Sequence, residues 1–401
     1  MSDSQPLHAA DAKAFDLFLH SIPAWNGIET GADALGLDAN VLLHAGPPFA
    51  SVDSISMPVL NSACVAAVFE GLASDFDQAE SMIKSAEILL KPAQDHCVVT
   101  PLAAVVSASM PLHRVSDLSD AKNIIYAPIN GGSRPSMRLG MRSMAVVEHL
   151  RWLNGEFTEL LRAGLTQRLE LVPMAAYALR AGDDCHGRTP AASKLLMDTL
   201  ERNIPGGISD AATREFIDTS PSLFLNLWMA ASKCLMLRTS AIDDSSFVTA
   251  IGANGVDVGI QISALPGRWF QAPASAPKGR IEIDLSAERA LPAIGDSAVV
   301  EGLGLGAMSI QLSPEQEKNF ADFLPQDYRD RAQRLMCGSH PGFGELDCKL
   351  GLTARAAVAQ KQGPIIALGI LDISGEKGRL GAGIYDMPDS VFSAAMAALQ
   401  G

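Results

Sequence analysis

The stretch Ala181-Gly182-Asp183-Asp184-Cys185-His186-Gly187-Arg188 is followed directly by Thr189-Pro190 and a helical run to about Arg202. Thr189 is a favourable helix N-cap and proline is common at the first helical position, so this polar loop is predicted to lead into a helix N-terminus. Such a terminus carries unpaired N–H groups and partial positive charge, which suit phosphate or carboxylate. His186 and Arg188 add donors. The two aspartates offer acceptors for an amide or ligands for a metal.

A simpler interpretation of the same loop stays open. Asp183, Asp184 and Thr189 would then only cap the helix, and Arg188 would pair with Asp184.

The segments on either side of this loop are predicted to be helical. Before it, apolar residues recur at helical spacing over 141–165, and a second helical run covers 171–180. After it, the most apolar run, 221–237, is shorter than the roughly 20 residues of a membrane span, so we interpret it as a buried helix. Residues 141–240 are therefore predicted to be mainly helical.

Beyond residue 240 the pattern changes to period two. Residues 247–251 and 258–262 flank Asn254-Gly255, a pair typical of a hairpin turn, so Asn254 has a structural role whether or not it also binds substrate. Residues 281–285 are predicted to form a strand, 365–373 an apolar strand, and 375–383 a glycine-rich loop. The fold class is predicted as α/β and multi-lobed, with a helical middle section and a glycine-rich, β-containing C-terminal half.

A chain of 401 residues exceeds one ordinary domain, so several lobes are expected. The boundaries that we predict are an N-terminal adapter segment at 1–40, an α/β lobe at 41–140, a mainly helical lobe at 141–240 and an α/β lobe at 241–401.

Composition excludes several classes of protein. The formal net charge of −14, with no basic run, argues against a nucleic-acid partner. The six cysteines never form a CxxC pair, so neither a disulfide framework nor a zinc site is indicated, and reduced thiols suit a cytoplasmic location. The N-terminus lacks the apolar core of a signal peptide. We expect no cofactor, no metal ligand set and no membrane partner, and we expect a homo-oligomer.

A second loop with the composition of an anion site runs from Ile129 through Asn130-Gly131-Gly132 to Arg138, after a predicted strand at 123–126. The glycines let the backbone approach a ligand, and the serines and arginines of the loop supply donors for an oxyanion. The loop lacks both the GK[ST] ending of a phosphate-binding Walker loop and the GxGxxG of a dinucleotide site. Asn130 and Arg138 are predicted to bind substrate; the alternative is a solvated glycine turn.

Two histidines outside these loops are further candidates. His44 ends a short strand at 41–44 that runs into Ala45-Gly46-Pro47-Pro48, and such junctions often border a pocket in α/β folds. His96 precedes an apolar, β-rich run at 98–109, which Pro101 interrupts. Its neighbour Cys97 is poorly placed to share a metal with it, because adjacent side chains on a strand face opposite sides. A single histidine at a strand start is more often a hydrogen-bonded structural residue than a ligand.

Several motifs, taken together, resemble those of the YlbE-like family, a bacterial family often encoded beside FdrA-like proteins. The matching stretches are His44-Ala-Gly-Pro-Pro48, Asn61-Ser-Ala, Thr100-Pro-Leu-Ala-Ala-Val105, Gly182-Asp-Asp-Cys-His-Gly-Arg188, Phe224-Leu-Asn-Leu227, Thr249-Ala-Ile-Gly-Ala-Asn-Gly255, Arg268-Trp-Phe270 and Ile294-Gly-Asp-Ser297. The resemblance covers roughly residues 40 to 385.

The resemblance implies a subunit of an oxamate carbamoyltransferase in purine-nitrogen (allantoin-type) catabolism. Such an enzyme exchanges a carbamoyl group between oxalurate and phosphate, and its products are oxamate and carbamoyl phosphate. The substrate-binding residues expected from the loops and the matching motifs are Arg188, Arg138, Asn130, Asn226, Asn254, Asn61, His44, Arg268 and Asp296. The expected catalytic residues are His186, Asp183, His96 and Asp184.

The chain departs from the family pattern in three places. Only His96, followed by Cys97, stands where several histidines are expected. Gly131 follows Asn130 where a glutamate is common, and Ala367-Leu368-Gly369 stands where Asn-Thr-Gly is expected. These departures suggest a divergent substrate and weaken the case for a shared metal or acid–base role.

Three hypotheses of function follow from the sequence. The chain is a carbamoyl-transfer enzyme or its catalytic subunit, an amide or imide hydrolase with a His/Asp site, or a non-catalytic partner subunit of an FdrA-like protein. For the transferase, Arg138, Arg188 and the helix terminus after Thr189 are expected to hold phosphate. Replacing Arg188 by alanine is then expected to weaken phosphate binding roughly ten- to a hundredfold.

The motifs also predict that their polar residues converge. His44, Asn61, His96, Asp183, His186, Asn226, Asn254 and Asp296 are expected around one cavity.

Overall fold

The helices of the chain are concentrated in its middle section. The computed structural model describes residues 7–132, 135–281 and 286–401. Within these ranges the α-helices are α1 (Ala9–Leu19), α2 (Gly31–Leu35), α3 (Met57–Glu70), α4 (Phe76–Lys84), α5 (Met144–Trp152), α6 (Thr158–Gly164), α7 (Leu171–Arg180), α8 (Pro190–Glu201), α9 (Ala211–Asp218), α10 (Leu223–Leu237), α11 (Val299–Leu303), α12 (Pro314–Phe320), α13 (Tyr328–Leu335), α14 (Ala354–Gln360) and α15 (Ser390–Gln400).

The described strands are short and lie before residue 171 and after residue 247. They are β1 (Pro23–Thr30), β2 (Val41–His44), β3 (Leu89–Pro92), β4 (Val105–Val106), β5 (Pro111–Asp117), β6 (Asp120–Pro128), β7 (Leu169–Glu170), β8 (Val248–Asn254), β9 (Asp257–Ile262), β10 (Phe270–Pro273), β11 (Lys278–Ile281), β12 (Ile294–Gly295), β13 (Met336–Gly338), β14 (Leu350–Leu352), β15 (Ile365–Leu371) and β16 (Arg379–Asp386). The prediction of a multi-lobed α/β fold with a helical middle section is confirmed.

Helix α10 is the buried centre of this middle section, as its apolar sequence predicted. It packs against β5 and β6, against β8 of the C-terminal half, and against α7, α8 and α11. Asn226 and Lys233, its two strongly polar residues, are buried with it. Lys233 compensates by donating from Nζ to the carbonyl oxygen of Thr249 at 2.7 Å.

The strands form small sheets rather than one continuous sheet. Their orders are β6-β5-β1-β7, β10-β9-β8-β12, β11-β16-β15, β3-β2-β4 and the pair β13-β14. The predicted hairpin is confirmed: β8 and β9 pair antiparallel, with Ile251 opposite Ile260, and Asn254 ends β8 at the turn. Strand β15 confirms the apolar strand expected from residue 365.

In the β-rich run predicted at 98–109, with its interruption at Pro101, the structure has one short strand, Val105–Val106. Pro101 has no N–H to donate and Leu102 has a φ of 49°, a conformation outside extended backbone. The strand expected at 281–285 lies mainly outside the described residues, and β11 ends at Ile281.

The largest hydrophobic cluster draws on the N-terminal helix, the middle section and the C-terminal half. It includes Phe18 of α1, Leu227 of α10, Ile260 of β9 and Phe392 of α15. Asp11 of α1 also reaches the C-terminal half, because its carboxylate accepts from the N–H of Ser246 at 2.6 Å. The segment boundaries drawn from the sequence remain a prediction.

No helix in the described ranges is long and apolar enough to cross a membrane.

Candidate functional site

A cavity of about 460 Å³ lies where the helical middle section meets the C-terminal strands, and it is in the size range of small-molecule pockets, roughly 300–1,000 Å³. Loops and element ends from distant parts of the chain form its wall. The described lining residues are Pro101, Leu102, Asn130, Arg138, Leu139, His186, Gly187, Ser222, Leu225, Asn226, Arg280, Ser297, Gln316, Asn319, Phe320, Ala367, Leu368, Gly369, Arg379 and Ala382.

Four predicted site residues line this cavity: Asn130, Arg138, His186 and Asn226. The two loops singled out in the sequence, at 129–138 and 181–188, therefore contribute to one site. Asn226 joins α10 to the first of them, because its Nδ2 donates to the carbonyl oxygen of Asn130 at 3.1 Å.

Arg138 is held in place entirely by neutral oxygens. Its Nη1 donates to Oδ1 of Asn130 at 3.0 Å, to the carbonyl oxygen of Gly131 at 3.1 Å and to Oγ of Ser136 at 3.1 Å, and its Nη2 donates to the carbonyl oxygen of Gly132 at 3.0 Å. Among the described residues, no carboxylate pairs with it. Burial, together with the positive charge of Arg379, lowers the pKa of Arg138 to about 10. The guanidinium still carries its charge at neutral pH, and an anion in the cavity would relieve the cost of that uncompensated charge.

Two further arginines belong to the same wall. Arg379 begins β16, and its Nε donates to the carbonyl oxygen of Gly381 at 3.0 Å. Arg280 of β11 is largely exposed and pairs with Asp322 at 3.1 Å. Three guanidinium groups therefore border one cavity, which favours an anionic ligand.

His186 forms a buried pair with Glu301 of α11. The imidazole Nδ1 lies 2.7 Å from Oε1 and 2.8 Å from Oε2 of Glu301. Burial lowers the pKa of His186, but the charge and hydrogen bond of Glu301, with the charge of Asp184, outweigh this and raise the pKa above its ordinary value. Because Nδ1 is engaged by Glu301, Nε2 is the ring nitrogen left to act in the cavity.

The N-terminus of α8 is capped by Asp183 and not by Thr189. The Asp183 carboxylate accepts from the N–H of Ala192 at 3.0 Å, whereas the Thr189 hydroxyl donates to the carbonyl oxygen of Pro221. Burial raises the pKa of Asp183 to about 6, against the opposing effect of these backbone donors and of Arg188. A carboxylate thus occupies the helix terminus that the sequence assigned to phosphate.

Asp184 and Arg188 hold the loop and do not line the cavity. Oδ1 of Asp184 accepts from the N–H groups of His186 and Arg188, both at 2.8 Å. The Arg188 guanidinium pairs with Glu315 at 2.9 Å. The capping interpretation therefore describes Asp183 alone, because Asp184 accepts from N–H groups of the loop before α8 begins. The Arg188 side chain pairs with Glu315, and Arg188 donates to the Asp184 carboxylate only through its backbone N–H.

The expected convergence of eight polar residues is wrong, since only His186 and Asn226 of that set line the described cavity. His44 gives its Nδ1 to the carbonyl oxygen of Ala45 at 2.8 Å and stacks on Phe49, and burial lowers its pKa to about 4. Asn61 donates to the carbonyl oxygen of Gly140, and Asn254 to that of Pro47, each at 2.9 Å. These residues shape loops around the site.

His96 and Arg268 also lie outside the cavity lining. His96 ends a short 3-10 helix and is partly buried, which with the charge of Lys91 lowers its pKa. The Arg268 guanidinium lies over the Phe270 ring, 5.0 Å from its centroid.

Asp296 lies behind the cavity wall, where its carboxylate accepts hydrogen bonds from three separate segments. Its Oδ1 accepts from the N–H of Gly46 at 2.9 Å and from Nε2 of Gln94 at 2.7 Å, and its Oδ2 accepts from the N–H of Thr100 at 2.9 Å. Ser297, which follows Asp296, and Pro101, which follows Thr100, both line the cavity. Burial raises the pKa of Asp296 to about 6, although these donors and the charge of Lys233 oppose the rise.

Replacing Asp296 by alanine is expected to destabilise the fold by about 3 kcal/mol or more. Three buried donors lose their acceptor, and each unsatisfied group costs roughly 1–3 kcal/mol. Urea unfolding of the two proteins measures the difference. The exposed Asp38→Ala is the control and is expected within about 0.5 kcal/mol of the unaltered chain. A loss for Asp296→Ala no larger than the control's contradicts the assignment.

Sequence reasoning missed Glu301, Arg280, Arg379 and Gln316. Glu301 carried a usable signal, because it is a lone acid in the apolar stretch Val299-Val300-Glu301-Gly302. A charged residue in such a run is buried with a partner or coordinates a ligand. The other three carry no local signal, since the contact of β11, β16 and α12 with one cavity depends on tertiary packing.

Within 7–132, 135–281 and 286–401, no group of three or more histidine, cysteine or acidic side chains is arranged to hold a metal ion.

Comparison with known proteins connects this site to a family. A family model described as oxamate carbamoyltransferase subunit AllG matches residues 88–297. The oxamate carbamoyltransferase subunit AllG of Escherichia coli (strain K12) is 30% identical, and the match covers 97% of each chain. The uncharacterized protein YahG of the same strain is 29% identical, and the match covers 97% of this chain and 85% of YahG.

A solved structure has the same fold over nearly the whole chain. The crystal structure of a conserved protein of unknown function from Enterococcus faecalis V583 has a TM-score of 0.91 at 26% identity, and the match covers 98% of this chain and 97% of that one. The full-length match to AllG and the family model together confirm the resemblance drawn from the sequence motifs, and the chain belongs to the AllG family of oxamate carbamoyltransferase subunits.

Proposed function

We propose that this chain carries the site for carbamoyl transfer between a carbamoyl amide of the oxalurate type and phosphate. Oxamate and carbamoyl phosphate are the products, and the reaction belongs to purine-nitrogen catabolism of the allantoin type. The family membership supports the transferase class. The single observation that carries the proposal is the Arg138 guanidinium, fixed by four neutral oxygens at the wall of a cavity that also contains His186.

The cavity supplies groups for each part of this reaction. Phosphate and the carboxylate of an oxalurate-type substrate are both anions, and Arg138, Arg280 and Arg379 border the space. Asn130, Asn226 and Ser297 add neutral amides and a hydroxyl for the carbamoyl group. Donors that polarise the carbamoyl oxygen stabilise the charge that develops there during attack.

The substrate site in this proposal is smaller than the one drawn from the sequence. Arg138, Asn130 and Asn226 bind substrate and His186 acts on it. Arg188, whose guanidinium pairs with Glu315, is not part of the phosphate site. Ala367, Leu368 and Gly369 line the cavity at a place where the chain departs from the family pattern. We therefore propose that the substrate is oxalurate or a related carbamoyl amide, and that such relatives be screened together with oxalurate.

Oxalurate labelled with ¹³C in the carbamoyl group, incubated with phosphate, tests the proposal. Carbamoyl phosphate should appear as a ¹³C-coupled ³¹P signal. This signal should require phosphate, and a chelator should not change its intensity. Labelled carbonate released without phosphate, and abolished by chelation, would instead indicate an amide hydrolase.

The same assay addresses the subunit question. We propose an FdrA-like protein as the partner, because the related AllG is named as a subunit. Activity that appears only after this partner is added identifies the complex as the active form. Variants of the chain that change the rate in that mixture show that the chain itself provides part of the active site.

A further inference from the structure

Glu301 is a fully buried acid next to the cavity, and sequence motifs do not assign it. It lies in α11 with no solvent exposure, and its carboxylate faces the Nδ1 of His186 through both oxygens, at 2.7 and 2.8 Å. Oε1 also accepts from the N–H groups of Ala307 at 3.1 Å and Ala367 at 3.2 Å. Because Ala367 belongs to β15 and lines the cavity, Glu301 connects His186 to the part of the cavity wall that β15 forms.

His186 is the side chain of the described lining whose charge can change near neutral pH. The other ionisable groups in that lining are Arg138, Arg280 and Arg379, which stay protonated in this range. The acids that face His186 are Glu301 from α11 and Asp184 from its own loop. On the α12 side the neighbouring lining residues are Gln316 and Asn319, which are neutral.

We infer that Glu301 is the positioning residue that keeps His186 protonated, so that the imidazolium Nε2 serves as the proton donor to the departing nitrogen. This inference rests on the carbamoyl transfer proposed above. A buried carboxylate on Nδ1 fixes the orientation of the ring and stabilises its positive charge. A cationic His186 also adds to the attraction of the three arginines for phosphate.

The proton balance of the reaction agrees with this role. An oxygen of hydrogen phosphate forms a bond to the carbamoyl carbon, the bond from that carbon to the amide nitrogen breaks, and its electron pair remains on the nitrogen. The nitrogen takes the proton from Nε2 of His186. The neutral imidazole then regains the proton that the attacking hydrogen phosphate releases, so the cycle neither consumes nor produces a proton.

Titration of the His186 ring nitrogens by ¹⁵N NMR tests the inference on the intact chain. His186→Gln assigns the signals. We expect the pKa of His186 to lie above the ordinary value of about 6.5 and to fall by about one unit or more in Glu301→Gln. Glu315→Gln is the matched control, because it removes the partner of Arg188 on the same loop and leaves the His186 pair intact. A pKa of His186 in the unaltered chain at or below the ordinary value overturns the inference, even if Glu301→Gln does not fold.

The pH dependence of turnover separates positioning from a purely structural role. In the active preparation, kcat should fall as pH rises through the pKa of His186, and Glu301→Gln should move this decline to lower pH by the same shift as the NMR titration. The positioning role is contradicted if Glu301→Gln lowers kcat by the same factor at every pH and leaves the pH of the decline unchanged.

Phosphate titration by calorimetry distinguishes this failure from failure of the proposed function. Phosphate that does not bind the active preparation counts against carbamoyl transfer, whatever the pKa of His186. Phosphate that binds while His186 titrates at its ordinary pKa counts against Glu301 alone.

Discussion

Replacing His186 by alanine is expected to lower kcat for carbamoyl transfer by roughly 10²- to 10⁴-fold, the usual contribution of a general acid. The physical reason is the leaving group: an amide nitrogen departs poorly as an anion and needs a proton as the bond breaks. Among the described lining residues, only His186 combines a titratable ring with a buried carboxylate partner, at 2.7 Å. Removing the ring should therefore affect turnover more than substrate affinity.

Steady-state kinetics with varied oxalurate and phosphate measures this effect. His20→Ala serves as the control, because the His20 side chain is exposed and its ring interacts with Asp16 of α1. The prediction fails if His186→Ala changes the KM for phosphate but leaves kcat within about threefold of the unaltered chain, since that pattern indicates uniform binding.

Replacing Arg138 by alanine is expected to weaken phosphate binding by roughly ten- to a hundredfold, which corresponds to the loss of a charge-assisted contact of about 1.5–3 kcal/mol. Arg138→Lys should recover part of this affinity, because it keeps the charge but loses the planar fork that reaches Asn130 and Gly132. Calorimetric titration with phosphate gives the dissociation constants.

Arg188→Ala is the matched control for Arg138→Ala. The sequence predicted a large effect for it, whereas the ion pair of Arg188 with Glu315 outside the cavity now predicts affinity within about twofold of the unaltered chain. If Arg188→Ala loses phosphate affinity and Arg138→Ala keeps it, the anion site lies at the N-terminus of α8 and the prediction is wrong. Circular dichroism of both variants is needed, since Arg138 also holds the carbonyl oxygens of Gly131 and Gly132.

Much of the fold could be predicted because local patterns specified it. The Asn254-Gly255 turn between β-branched runs gave the β8–β9 hairpin, and the apolar run at 221–237 gave α10. The β-rich run at 98–109 forms a strand only at Val105–Val106, because apolar content alone does not distinguish a strand from a buried loop. There Pro101 and Leu102 interrupt the extended backbone, and the N–H of Thr100 donates to Asp296 instead of to a neighbouring strand.

The candidate site was only partly accessible from sequence. Asn130, Arg138 and His186 were found because loops rich in glycine and polar residues are common ligand sites. The role of each aspartate in the 181–188 loop could not be decided, since capping and substrate binding use the same carboxylate oxygens. Arg379 reaches the cavity only through the packing of β16, which no local pattern encodes. Glu301 lies behind His186, and only its position as a lone acid in an apolar run indicated a buried partner.

The central claim is that phosphate and the carbamoyl amide bind in the cavity between Arg138 and His186. A crystal structure of the chain with phosphate and oxamate present measures this directly. We predict density for an anion within hydrogen-bond distance of the Arg138 guanidinium and of Nε2 of His186, with the α8 N-terminus still capped by Asp183. Anion density beside Arg188 or at the α8 N-terminus, with the cavity holding only water, would contradict the account.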